Sequence, residues 1–220
     1  LLRDPSDEPT HSKQVNYVGV QNLIDAAQAS GTCNRIVRVT GKGEAPWSLF
    51  SILINLFGSM AKAWNNEGER LLRDSAVDYT IVRPGVMGRL EEQPPASLAL
   101  ADNGGDLKVS AITHSAVAEL CVASLGAPNA ARTTLCAMSV PEGEGAQSWE
   151  PLLAKVRPDS RAFRTDLLQE HFRAVRFGGA ALIAGVATFT SALIAVFALA
   201  FKALLSAALY ATTALQTRML

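Results

Sequence analysis

The sequence has no surplus of positive charge. Its 20 lysines and arginines are matched by 20 aspartates and glutamates, and no basic cluster stands out. A nucleic-acid partner is therefore not expected, because neutralising phosphates takes a basic surface. Cysteine is scarce: Cys33, Cys121 and Cys136 are odd in number and widely spaced, with no Cys-x-x-Cys pair. That argues against a disulfide framework or a zinc site and predicts reduced, mostly buried thiols. His11, His114 and His171 lack metal-ligand spacing, so no metal centre is expected and surface or capping roles are assigned to them. No Gly-x-Ser-x-Gly or catalytic Cys-His pattern is present. The chain opens Leu1-Leu2-Arg3-Asp4, with neither Met nor a targeting peptide, and is expected to be part of a longer precursor.

Charge is missing altogether from residues 177–201. As a helix this run would be about 37 Å long, against a hydrocarbon core of about 30 Å, so one tilted span can cross a bilayer. Lys202 interrupts it, and apolar, alanine-rich sequence resumes to residue 215 with no turn residue between 201 and 206. One long helix is thus expected rather than a hairpin. Ala180, Ala184, Thr188 and Ala192 recur every four residues, as do Ala181 and Gly185. Small residues at that spacing allow close helix approach in lipid, so integral membrane subunits, together with lipid, are expected against residues 177–215. Arg161, Arg164, Arg173 and Arg176 precede the run, whereas only Lys202 and Arg218 follow. The positive-inside rule then puts the preceding domain on the cytoplasmic, stromal or matrix side. A chlorophyll near the membrane surface, with His171 as its magnesium ligand, is a minor expectation.

The segment before the run alternates helix and strand. Val20, Leu23, Ile24 and Ala27 have helical spacing within residues 15–29, closed by Ser30-Gly31. A β-branched strand follows at 35–40. A helix ends at Glu69-Arg70-Leu71-Leu72-Arg73-Asp74-Ser75, where Glu69 and Arg73 read as a surface ion pair. A second strand at 77–82 is broken by Arg83-Pro84-Gly85. Residues 91–105, with Glu91-Glu92 and Pro94-Pro95, read as a polar loop. A short strand at 107–112, a helix at 115–125 with Val117, Leu120, Cys121 and Leu125 inward, a strand at 133–140 and helical sequence at 149–156 complete the pattern. This alternation implies an α/β fold with a parallel, helix-covered sheet. Residues 46–63 read as one helix, apolar on nearly every face over 47–57, which is too short to span a bilayer. It suits a core helix, a subunit contact or the lipid interface.

Val15-Asn16-Tyr17-Val18-Gly19-Val20-Gln21-Asn22-Leu23-Ile24-Asp25-Ala26-Ala27, the strand Arg35 to Thr40, and Asp78-Tyr79-Thr80-Ile81-Val82-Arg83-Pro84-Gly85 after the helix ending at Ser75 carry a resemblance. Together they resemble the atypical short-chain dehydrogenase/reductases, which are NAD(P)-binding Rossmann proteins. The resemblance runs from about Asp4 to Val140. It implies a partial Rossmann-like sheet over residues 1–160; outside the resemblance, a basic juxtamembrane linker or helix at 161–176 and a transmembrane helix with its extension at 177–216 are expected. It also implies that Thr40, Pro84, Gly85 and Val86 line the nicotinamide side of a cofactor site.

Two departures decide the functional expectation. No Gly-x-x-Gly-x-x-Gly turn occurs, and Gly41-Lys42-Gly43 follows a later strand, so NAD(P)H binding depends on sequence before Asp4. The family's tyrosine and lysine, which supply and tune the reaction's proton, fall by count on Ala61 and Asn65, with Lys62 about 60° off that helix face. Tyr79 reads as a packing residue. No catalytic residue is therefore assigned. The resemblance, with its precedents in a respiratory complex I subunit and in thylakoid photosystem assembly, implies a pseudoenzyme: a membrane-anchored accessory subunit of a large complex, preferentially a thylakoid photosystem. The alternatives are a complex I subunit or a membrane-tethered NAD(P)H-dependent reductase.

Overall fold

A computed structural model of the chain describes residues 8–42, 44–87, 97–105 and 107–218, with side chains described to residue 207. The expected Asp4 boundary, Gly43, Glu91-Glu92 and Pro94-Pro95 lie outside the described residues. The chain divides into two compact units, Leu1–Val175 and Arg176–Leu220.

The first unit is built on a four-stranded sheet. Strands β1 (Ile36–Val39), β2 (Tyr79–Pro84) and β6 (Thr133–Val140) are parallel, with Ile36 opposite Tyr79 and Thr80 opposite Thr133. Strand β4 (Ser97–Ala101) runs antiparallel along β6, giving the order β1-β2-β6-β4. Two short strands, β3 (Val86–Met87) and β5 (Ala111–Ile112), pair separately.

The period of two along β2 sorts its side chains between two helical layers. Tyr79 and Ile81 pack with Val20, Ile24 and Leu72, on α1 (Gly19–Ser30) and α3 (Ala61–Asp74). Val82 instead joins Val117, Leu120 and Leu135, under α4 (His114–Gly126), together with Trp149 and Leu153 at the short α5 (Glu150–Leu153). The helix ends follow local chemistry. Gly31 takes a left-handed φ of 64° after α1, and the Thr113 hydroxyl accepts from Ala116 N at 3.1 Å to cap α4. A π-helical turn, Gln14–Val18, leads into α1. Gly68 lets α3 approach that turn, since a Cβ there would sit 2.0 Å from Asn16 O.

The structure corrects several expectations. The apolar helix does not run from 46 to 63: α2 (Leu49–Phe57) stops at Gly58, and Ser59 and Met60 take positive φ before α3 begins. The expected polar loop contains β4, a Leu- and Ala-built strand held by pairing with β6 rather than by strand propensity. Strand β2 is not broken at Arg83 but continues through Pro84. On α4, Leu125 faces outward and Ser124 is buried in its place. Cys136 alone of the three thiols is buried, Cys33 being exposed and Cys121 half-buried.

Residues 161–175 group with the first unit, and the second half of the expected linker or helix at 161–176 is helical. Helix α6 (Leu167–Arg173) packs on α3, where Leu168, Phe172 and Val175 meet Met60, Ala63 and Trp64. His171 is fully buried there, against the expected surface role. Asn55 Nδ2 lies 2.8 Å from its Nδ1 and Asn66 Nδ2 lies 3.1 Å from its Nε2. The Asn55 Oδ1 accepts from Lys62 N and Ala63 N, the free amides at the start of α3. Asn55 therefore presents its NH₂ to the ring, and Nδ1 must accept. With both ring nitrogens engaged, His171 cannot ligate a chlorophyll magnesium. His11 is likewise buried, its Nδ1 accepting from Lys13 N.

The second unit is a helix, α7 (Ala180–Arg218), entered through a π-helical turn. By length and composition, one helix among the described residues, Leu167–Ala207, is long and apolar enough to cross a membrane. Each hydroxyl in 177–206 donates into its own helix: Thr188 to Ala184 O, Thr190 to Val186 O, Ser191 to Ala187 O and Ser206 to Lys202 O, all at 2.8–3.0 Å. No hydroxyl on that run needs water.

Replacing His171 with Ala removes the ring that the buried Asn55 and Asn66 amides meet and opens a cavity. The expected loss is about 3 kcal/mol, read as a lower denaturant midpoint. His171→Gln, which restores one partner, is expected to lose less.

Candidate functional site

Strands β1 and β2 end side by side, and their carboxyl ends carry the chemistry. Ile36, Arg38 and Thr40 alternate toward α3, as do Tyr79, Ile81 and Arg83. Two residues of strand advance about 6.6 Å and four of helix about 6 Å, so Arg38 and Thr40 meet α3 residues one turn apart. The Arg38 guanidinium donates to Asn65 Oδ1 at 3.0 Å, and Thr40 Oγ1 donates to Glu69 Oε1 at 2.6 Å.

Glu69 is the centre of this arrangement. It is fully buried, and its pairing with Arg73 at 3.2 Å lies under the surface, correcting the expected exposed pair. Arg83 grips it with two bonds, Nε to Oε1 at 3.0 Å and Nη2 to Oε2. The third Arg83 branch, Nη1, donates to Glu44 Oε1 at 2.6 Å, and Arg161 reaches the same oxygen. Phe163 lies between Arg73 and Arg161, its ring 4.0 and 4.2 Å from the two guanidinium carbons. Burial alone would raise the Glu69 carboxyl. Arg83, then Arg73 and the Thr40 hydroxyl, outweigh it and hold the group below the usual carboxylate range.

Beside this network opens a cleft of 480 Å³, with Lys42, Glu44, Phe50, Lys62, Arg83 and Arg161 among its walls. The Lys62 ammonium stands 3.1 Å from Ser51 Oγ and 4.8 Å from the Phe50 ring centre. Burial pushes it below the ordinary lysine range, and among the described residues no carboxylate pairs with it. Lys42 Nζ donates to Leu107 O at 2.6 Å.

The residues expected at a nicotinamide are placed around this cleft and not on its walls. Thr40 spends its hydroxyl on Glu69. Pro84 is buried at the end of β2. Gly85 donates to Ala137 O at 2.9 Å and is confined by Ser110 O, which a Cβ would approach to 2.1 Å. Val86 is exposed and pairs with Ala111. Ala61 opens α3, Asn65 is committed to Arg38, and Tyr79 is buried with its hydroxyl donating to Asp159 at 3.1 Å. Glu44, Lys62 and Arg161 were not singled out by motif. Arg83 had a visible signal, a cation closing an otherwise uncharged strand.

A dinucleotide needs backbone N–H groups at a helix start just after a strand. Among the described residues no glycine-rich turn joins a strand to a helix. Nine residues separate β1 from α2, and the Ser48 hydroxyl already accepts from Ser51 N there. These residues do not fit the pyrophosphate, and no chemical step is assigned to such a group.

Glu69→Gln is expected to cost about 3–5 kcal/mol at neutral pH, because it leaves Arg83 buried with half its partners. The depressed Glu69 carboxyl contributes stability that is complete above the unfolded-state value of about 4.3 and is lost as pH falls through its lower folded value. Urea midpoints from pH 7 to pH 3 are expected to fall less steeply in the variant than in the parent.

Residues 4–128 match a family profile described as NAD(P)H-binding. The chain is 30% identical to an uncharacterised chloroplastic protein of Arabidopsis thaliana, over 63% of this chain and 42% of that one. It is 33% identical to the chloroplastic protein TIC 62 of the same plant, over 49% and 16%, and 31% identical to sanguinarine reductase of Eschscholzia californica, over 63% and 50%. The chain thus spans half or less of the length of these relatives. An oxidoreductase from Lactococcus lactis shares the fold with a TM-score of 0.54 at 15% identity, over 70% of this chain and 66% of that one. With more than half its length matched by the profile and its sheet built in the same way, the chain belongs to the NAD(P)H-binding family of Rossmann-like proteins.

Proposed function

We propose that this chain is a non-catalytic, membrane-anchored accessory subunit of a large complex in a plastid membrane, with a thylakoid photosystem supercomplex as the preferred host. One observation carries the loss of chemistry. The places that resemble a reductase's proton-transfer groups hold side chains occupied by structure: Ala61 has no donor, Asn65 is bonded to Arg38, and Thr40 donates to Glu69. The chloroplastic relatives support the compartment. The charge-free run with internally bonded hydroxyls supports the anchor, and its small residues at intervals of four support packing against other membrane subunits.

A second reading, a membrane-tethered NAD(P)H reductase, has Lys62 in its favour. A half-buried ammonium on the cleft wall with lowered proton affinity is a usable acid. Sanguinarine reductase among the relatives points the same way.

The intact protein, purified from its native membrane, is expected to migrate with a high-mass complex and to oxidise neither NADH nor NADPH in the presence of quinone acceptors. Turnover that Lys62→Met abolishes would establish the reductase reading, and a chain found only free in the membrane would remove the subunit reading.

A further inference from the structure

Helix α2 is turned inside out. Its buried positions are Ser51, Ile52 and Asn55, two of them polar. Its outward stripe runs from exposed Phe50 through half-buried Leu53 and Ile54 to exposed Phe57 at helical spacing, with exposed Leu49 beside it and Trp47 just before it. Trp47 is 52% exposed, Phe50 63% and Phe57 80%.

The helix cannot rotate to hide this stripe. The Asn55 carbonyl caps α3 through Lys62 N and Ala63 N, and its amide holds His171. Ser51 bonds Ser48 and Lys62. Turning α2 over would bury aromatic rings only by breaking every one of these bonds. The apolar face is therefore fixed outward, where an isolated water-soluble domain would gain nothing from it.

Covalent connection says what lies nearby. The Trp47 indole N–H donates to Glu170 Oε2 at 3.1 Å. Seven residues of chain lead from Glu170 to Phe177, the first residue of the charge-free run. Fully extended they reach about 25 Å, so the Glu170 backbone, whose side chain holds Trp47 at the start of the stripe, lies within that distance of the run's first residue. Arg173 and Arg176 lie on this connection, suited to lipid headgroups. The Lys62 ammonium over the Phe50 ring can keep its charge at the polar boundary while its stem lies along apolar surface. A protein partner would be expected to find hydrogen-bonding groups across its contact. The outward side chains of α2 offer none, and the Trp47 N–H is already bonded.

We infer that the outward stripe of α2 rests in the boundary between headgroups and acyl chains of the bilayer that residues 177–201 cross, as a second, monotopic membrane contact. The inference depends on the membrane-anchored reading. It differs from a free amphipathic helix in that the polar side of α2 faces its own protein instead of water.

The full chain, reconstituted in phosphatidylcholine vesicles brominated near the headgroup end of the acyl chains, tests it by tryptophan fluorescence. Trp64 and Trp149 are buried, so the quenchable emission belongs to Trp47. The expected result is loss of the emission component that Trp47→Phe removes, with recovery when Phe50 and Phe57 are both changed to Glu. Flotation with the vesicles after alkaline washing separates the two readings. A chain that floats with Trp47 unquenched overturns the α2 contact and leaves the anchor standing. A chain that does not float overturns the anchor and the contact with it. In native membranes, Trp47 shielded from iodide yet indifferent to brominated lipid would mean that protein covers the stripe, which also overturns the inference.

Discussion

The structure around the cleft depends on one buried charge. A carboxylate with no solvent contact, such as Glu69, is tolerable only if its lone pairs are filled and its charge is opposed. Arg83 supplies a two-point grip, Arg73 a second cation and Thr40 a hydroxyl. Arg83 itself then needs more than one anion, and Glu44 provides it from the loop after β1. Glu44 in turn holds Arg161, and Arg161 shares Phe163 with Arg73. A single buried group thus fixes α3 against β1 and β2, holds Glu44 against the sheet and ties the 160–163 segment to it. Breaking any one contact exposes the others to the same desolvation cost, so the network acts as a unit.

Much of the sheet could be read from the residues because it rests on local signals. The apolar run from Thr133 to Val140, bounded by β-branched residues, forms its strand over the expected residues, and Gly31 ends α1 in the left-handed conformation expected of it. The misses share a physical cause, control from a distance. Ser97 to Ala101 has poor strand composition and takes its form from β6. The break after α2 lacks a proline, and it is stabilised by Asn55 bonding to amides seven and eight residues on. Glu69 matched an exposed i, i+4 pair on its own helix. The arginine that buries it lies 14 residues away on the next strand, where no short-range pattern could reveal it.

The site was less legible than the fold. Counting by resemblance located Thr40, Pro84, Gly85 and Val86 near the carboxyl ends of the strands, where ligands of open α/β sheets bind, but it could not show that Thr40 is already engaged. Nor could it show that Lys62, three residues short of Asn65 on α3, is the position that reaches the cleft wall. A helix advances 300° in three residues, leaving Lys62 about 60° from the Asn65 face. Here that offset is large enough to turn one side chain to Arg38 and the other to Ser51.

Several polar groups of this domain hold its elements in place. Asn55 and His171 join α2, α3 and α6; Asn65 and Arg38 join α3 to β1; Glu69 and Arg83 join α3 to β2. Holding α2 with its polar side inward also forces its aromatic stripe out, on an element hydrogen-bonded to the segment that leads into the apolar run. The bonds that engage these polar residues are therefore also the bonds that hold the aromatic stripe outward, and the two features have a common structural origin.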